Sequence, residues 1–254
     1  MNAYRLMIVA AAMLLWLAGQ AAAAPKGGCA SDDPAVAIPA CTAAINRIAV
    51  TPGSQATAYL QRGRAYYRQK QYGLAINDLS ASIRHNDKSY LAYVFRGLSS
   101  AELGDHNAAI DDYDKAIAIK PGSADVYFYR ANSRSEQDDI ENAIADYSRA
   151  VDLDPRMGPA FANRGNLQQR LGRHDKAVAD YTRAIALKQG VSLIYSNRAN
   201  SYVNLKRYDL AMADFDRAIA ADAGNFNAYN NRANLHYAQA RSTRPSRMSA
   251  RRSP

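Results

Sequence analysis

Six arginines recur at intervals of 34 residues, Arg62, Arg96, Arg130, Arg164, Arg198 and Arg232, and five aspartates keep the same interval, Asp78, Asp112, Asp146, Asp180 and Asp214. Acidic and basic side chains that recur in this way could move protons. The simpler reading is one interhelical ion pair per unit, because helical repeats are readily laced by such pairs. The four histidines, His85, His106, His174 and His236, are scattered. His106 and His174 share one turn position two units apart, too far to hold a metal together. The acidic pairs Asp111, Asp112 and Asp138, Asp139 fall on helix surfaces or turns, where solvated charge is the plain account. No GxxxxGK[ST], GxGxxG, GxSxG or HExxH segment occurs. The expectation is a chain with no catalytic residues, no metal and no cofactor.

The elements that position these columns repeat with them. After each Arg stands a small residue, Gly63, Gly97, Ala131, Gly165, Ala199 and Ala233, and three residues before it a ring, Tyr59, Tyr93, Tyr127, Phe161, Tyr195 and Tyr229. Ala75, Ala109, Ala143, Ala177 and Ala211 precede the aspartates by three, and a bulky residue follows each: Leu79, Tyr113, Tyr147, Tyr181 and Phe215. Within a unit, apolar residues recur three and four apart in two stretches, which predicts two amphipathic helices. Gly104 and Gly172 mark the break between them, and Pro121 and Pro155 close two units. A hairpin of this size cannot bury its apolar face alone, so neighbours must stack.

In these residues the chain resembles the tetratricopeptide repeat family. The pattern of aromatic, small, Ala, aromatic, Ala and Pro is fullest in Tyr93, Gly97, Ala109, Tyr113, Ala116 and Pro121. The resemblance covers about 56 to 240 and implies an all-α fold, an α-solenoid of stacked hairpins in a right-handed superhelix, with five full repeats and a closing helix over 226 to 239. Ser100, Arg134 and Gln168 stand where the family usually has a ring, and Asp87, Gln189 and Ala223 where it has Pro. The segment AIPACTAAI, from Ala37 to Ile45, mirrors second helices such as AIDDYDKAI, so a half-repeat helix precedes the first full unit. Pro39 should kink it. Asn225, Asn227, Asn230, Asn231 and Asn234 are expected to wet the outer side of the closing helix.

At about 100° per residue, positions 2, 5, 6, 9 and 12 of each unit, counted from residue 56, lie opposite the packed side. Position 9 holds Arg64, Leu98, Asn132, Asn166, Asn200 and Asn234, and position 6 holds Gln61, Phe95, Tyr129, Asn163, Asn197 and Asn231. In the resembling family this concave face takes extended peptides or a partner's helix, and some members hold a terminal carboxylate there with Asn, Lys and Arg. Here the Lys positions read Leu60, Leu91, Val94, Asp125 and Phe128. An amide both donates and accepts, which suits the main chain of an extended segment; the alternative is that the amides tie neighbouring repeats together. Phe95, Phe128 and Tyr129 form an expected apolar anchor for a partner.

The ends carry other information. Residues 1 to 23 run from Arg5 through an apolar stretch, Leu6 to Leu17, to a string of alanines, the layout of a secretory signal peptide, with cleavage expected after Ala23; a retained membrane anchor is the alternative. Export to a bacterial periplasm or the extracellular space would make Cys29 and Cys41, the only two cysteines, a natural disulfide; two free buried thiols are the alternative. Residues 24 to 55 form an N-terminal segment. Residues 241 to 254 form a tail with Arg241, Arg244, Arg247, Arg251 and Arg252 and no acid, five charges out of a net +9, and it reads as disordered. That tail is either solvated or an arm for anionic lipid, polysaccharide or an acidic partner. The expected function is a non-enzymatic scaffold for a protein or peptide partner. Export disfavours nucleic acid.

Overall fold

A computed structural model describes residues 28–47, 51–188 and 191–242, and among these every regular element is an α-helix. The helices are α1 (Pro34–Ile45), α2 (Pro52–Arg68), α3 (Tyr72–His85), α4 (Tyr90–Glu102), α5 (His106–Ile119), α6 (Ala124–Glu136), α7 (Ile140–Leu153), α8 (Gly158–Arg170), α9 (His174–Ala186), α10 (Val191–Asn204), α11 (Tyr208–Ala221) and α12 (Phe226–Ser242). The chain divides into two compact units between Pro155 and Arg156. The first unit holds α1 and the hairpins α2–α3, α4–α5 and α6–α7. The second holds α8–α9, α10–α11 and α12, so each is a stack of the hairpins that the period of 34 predicts. The expected signal segment 1–23 and most of the arginine tail lie outside the described residues.

The hairpins close through one repeated turn. Lys70, Gly104, Asp138, Gly172 and Lys206, again 34 apart, all adopt left-handed backbone, with φ between 59° and 84°. In the first, Gln71 N–H reaches back to Tyr66 O and Lys70 N–H to Tyr67 O, the double bond that satisfies the last carbonyls of a helix. Glycine takes this conformation freely, while the Lys and Asp versions are strained. Only the two glycines mark the turn by residue type.

Between the helices of each hairpin, the small residue on the first accepts the bulky residue on the second. A Cβ on Gly97 would lie 2.7 Å from Cε1 of Tyr113, and one on Gly165 would lie 2.9 Å from Cε1 of Tyr181. Tyr113, Tyr147, Tyr181 and Phe215 are at most 2% exposed. Each ring therefore buries its full apolar area, a contribution of about 2 kcal/mol or more per residue.

The arginine and aspartate columns meet across the same seam. In every hairpin Nε and Nη2 of the Arg donate to the two carboxylate oxygens of the Asp sixteen residues on, at 2.6 to 2.9 Å. The aspartates are 1% to 6% exposed. The guanidinium also lies over the ring three residues before it, 5.4 to 5.7 Å from the centroid. Hydrogen bonding to the carboxylate raises the pKa of Arg62 and Arg96, while burial pushes the Asp112 carboxyl up against the pull of Arg96. The pairs are structural, as the spacing suggests.

Nη1 of the same arginines reaches the preceding second helix. It donates to Oγ1 of Thr42, Oγ of Ser80, Oδ1 of Asp114 and Oγ1 of Thr182 from Arg62, Arg96, Arg130 and Arg198 respectively. One side chain thus joins both helices of its hairpin and the hairpin before it.

At the start of the first unit, Cys29 and Cys41 form a disulfide with Cα atoms 4.5 Å apart. Arg68 donates to the Asp32 carboxylate at 2.9 Å and holds the same loop. The helix α1 runs through Pro39. At the other end, α12 extends three residues beyond the expected closing helix, to Ser242. Two of the five asparagines expected on its outer side point inward instead. Asn225 donates to Ser192 Oγ and Ser196 Oγ and caps the Ala228 N–H, and Asn231 donates to Asn200. Inward amides satisfy helix and hairpin contacts that solvent would otherwise have to meet.

Asp146 holds Arg130 and also accepts from Arg134 Nη1 at 2.6 Å. An Asp146→Ala variant is expected to lose about 3 kcal/mol in urea unfolding, because Arg134 loses the carboxylate it pairs with and Arg130 keeps only Asp114 on the preceding helix. Asp111→Ala, on the exposed side of α5, should stay within about 0.5 kcal/mol; equal losses from the two would remove the special role of the buried pair.

Candidate functional site

Each unit carries its own candidate surface on the side away from the arginine seam. In the first unit a run of mostly buried rings underlies that side. Tyr67 meets Tyr72 and, edge-on, Phe95, with centroids 5.7 Å apart in both cases. Tyr129 lies 6.1 Å from Tyr113 and 5.9 Å from Phe128, which in turn packs 5.8 Å from Tyr147. Of the three rings expected to anchor a partner, Phe128 and Tyr129 are 2% and 4% exposed and belong to the core. They face the ring of the second helix, so their surface is already spent on the fold. Phe95 alone is partly exposed.

Arg64 covers Phe95, with its guanidinium carbon 5.1 Å from the ring centroid, and its Nη1 donates to Gln61 Oε1. No carboxylate pairs with it among the described residues. Burial, with the charge of Arg68 behind it, lowers its pKa. The arginine packs on the ring with its stem and leaves a cation at the edge of the aromatic surface.

In the second unit the surface is made of amides. Asn166 Oδ1 accepts from the Tyr181 hydroxyl at 2.8 Å and from Asn197 Nδ2 at 3.0 Å. One repeat further, Asn200 Oδ1 accepts from Asn231 Nδ2 at 3.0 Å. Asn132, in the first unit, accepts from the Tyr147 hydroxyl in the same manner. Asn163 is buried, at 7% exposure. Two of these bonds, Asn197 to Asn166 and Asn231 to Asn200, link neighbouring hairpins, and Asn234 is exposed. Asn200, Asn231 and Asn234 nevertheless edge an open cleft of about 770 Å³, completed by Val203, Tyr208, Leu235 and Gln239 with Phe215 at its floor. It offers apolar walls with amide edges, and Tyr208 is 38% exposed.

Sequence periodicity found the amide columns but not Val203, Tyr208 or Gln239. The cleft arises where α12 replaces a full hairpin, and no column common to the repeats marks that change. The hydroxyl and acid column that receives Nη1, by contrast, keeps the period at Ser80, Asp114, Thr182 and Asp216, two residues after each aspartate, and was there to be read. Among the described residues no three His, Cys, Asp or Glu side chains stand close enough to hold a metal, and no helix is long and apolar enough to cross a membrane.

Family models described as tetratricopeptide repeat match residues 60–124, 124–157, 159–190 and 193–225. The chain belongs to the tetratricopeptide repeat family. Its fold is accordingly an all-α solenoid of such repeats. No curated protein matches it in sequence. Among solved structures, MamA is similar at 23% identity over 66% of this chain and 92% of its own, with a TM-score of 0.63. YrrB, described as a tetratricopeptide repeat protein with an unusual peptide-binding site, is similar at 17% identity over 76% of this chain and 97% of its own, with a TM-score of 0.67. The Cut9–Hcn1 hetero-tetramer of APC/C aligns at 17% identity over 79% of this chain and 39% of its own, with a TM-score of 0.58. At these identities the likeness establishes the fold.

Burial raises the phenolic pKa of Tyr67, Tyr113 and Tyr129 above the ordinary 10.0. Below pH 10 both folded and unfolded states keep these protons, and the stability is fully present. Above it the unfolded chain releases them while the folded chain cannot, so stability falls as pH rises. Urea midpoints should hold from pH 7 to 9 and drop beyond 10, and Tyr113→Phe should flatten that drop; a Tyr113 that ionises near 10 in the folded chain would contradict the assignment.

Proposed function

We propose that this chain is a non-enzymatic interaction scaffold that receives an extended peptide or a partner's helix on its repeat surface, with the cleft edged by Asn200, Asn231 and Asn234 as the principal contact. The observation that carries this reading is the cleft itself: apolar side chains line it, Asn234 keeps a free donor and acceptor at its rim, and Tyr208 stands exposed beside it. Apolar walls supply the burial, and an amide at the edge pairs with main chain without reading side-chain identity. The peptide-binding site named for YrrB supports a similar use of the fold.

Export to the periplasm or the extracellular space belongs to the same proposal. The layout of residues 1–23 supports it, and so does the disulfide, since such bonds persist in oxidising compartments. The protein recovered from that compartment should begin at Ala24 on N-terminal sequencing; a recovered chain that still begins at Met1 would sink the export reading.

A Tyr208→Ala, Asn234→Ala double variant tests the cleft, because neither side chain contributes to the Tyr181–Asn166–Asn197 or Asn200–Asn231 bonds. Immobilised against extract of the exporting compartment, it should retain about a tenth or less of the partner that the native chain captures. Deleting 243–254 should leave capture intact. Equal capture by the double variant, or loss on deletion of the tail, would move the contact elsewhere.

A further inference from the structure

The sixth arginine is the one whose seam is unfinished. Each of Arg62, Arg96, Arg130, Arg164 and Arg198 has its Nε and Nη2 held by the aspartate of the following helix. Arg232 keeps the two older contacts of the column, the ring of Tyr229 at 5.5 Å and an acceptor on the preceding helix, Asp216. Its Nε and Nη2 meet no carboxylate among the described residues. Beside it Ala233 is exposed, although Gly63, Gly97, Ala131, Gly165 and Ala199 at the same place are all buried under the next helix. Phe226, at the start of α12, is 76% exposed.

The five finished hairpins state what covers such a face. It is a helix with a small residue, an aspartate three positions later, a bulky side chain next, and a small residue three further on, as in Ala109, Asp112, Tyr113 and Ala116 or Ala211, Asp214, Phe215 and Ala218. At the matching offsets beyond α12 stand Pro245, Met248, Ser249 and Arg252, which bring neither carboxylate nor ring. A second copy of α12 contains no Asp or Glu, and neither does α1. The acidic second helices of a second copy are engaged in their own hairpins.

We propose that the face of α12 around Arg232 and Ala233 is a docking site for an amphipathic helix of another protein, one carrying the sequence small-x-x-Asp-aromatic-x-x-small. The Asp closes the fork of Arg232, the ring sits on Ala233, and the small residues let the two backbones approach. The partner completes a sixth hairpin. This site lies apart from the cleft, and its occupancy does not require the cleft to be filled.

The probe is a synthetic helix with the α11 sequence, Tyr208 to Ala221, fluorescently labelled and stapled across its outward positions 216 and 220 so that the short segment stays helical. Added to the full chain, it should bind saturably by fluorescence anisotropy. Asp214→Asn in the probe and Arg232→Gln in the chain should each weaken binding about tenfold, the loss of a charged hydrogen-bond pair. Ala233→Leu should abolish it by filling the slot of the ring. Ala233→Leu alters an exposed position and Arg232→Gln a partly exposed one whose own contacts are Asp216 and the Tyr229 ring, so circular dichroism of both variants should match the native chain. The Tyr208→Ala, Asn234→Ala variant should bind the probe normally, and failure there would place the probe in the cleft and overturn the proposal. So would equal binding of the Asp214→Asn probe, binding that survives Ala233→Leu, or sedimentation showing that the chain alone dimerises through this face.

Discussion

Everything in this architecture hangs on a buried carboxylate gripped by a forked arginine. Desolvating an aspartate costs several kcal/mol unless its charge and lone pairs are met. Two parallel N–H bonds meet both oxygens, the third nitrogen ties the preceding helix, and a ring supports the plane of the guanidinium. Because those contacts lie on three helices, the side chain fixes their relative placement in a way that nonpolar packing alone does not. The aromatic columns contribute the larger share of burial; the fork contributes the register.

The same economy explains why small residues sit beside the arginines. A helix carrying Gly97 can approach until its backbone touches Tyr113, and at that distance the Arg96 fork reaches both oxygens of Asp112. Volume and charge are thus two requirements on one interhelical distance. Substituting at either column disturbs the other, so their effects should not be additive.

The helices, the hairpins, the ion-pair seam and the disulfide were legible in the sequence, because each depends on residue types recurring in phase or on there being only two cysteines. Periodicity did not distinguish Phe128 and Tyr129 from a surface patch. An ideal helical wheel places both away from the packed side, but the neighbouring rings of Tyr113 and Tyr147 close over them. The inward turn of Asn231 was hidden for a similar reason, since an amide's direction depends on a partner one repeat away. The left-handed Lys70, Asp138 and Lys206 carry no signature of their own type, and the period alone betrays them.

The short covalent loop between Cys29 and Cys41 spans only 12 residues and encloses none of the full hairpins. In a protein whose contacts run only between neighbours, melting begins by fraying at whichever extremity is loosest. A staple on α1, an uncharged helix with little surface of its own to bury, therefore secures one of the places where such fraying can begin.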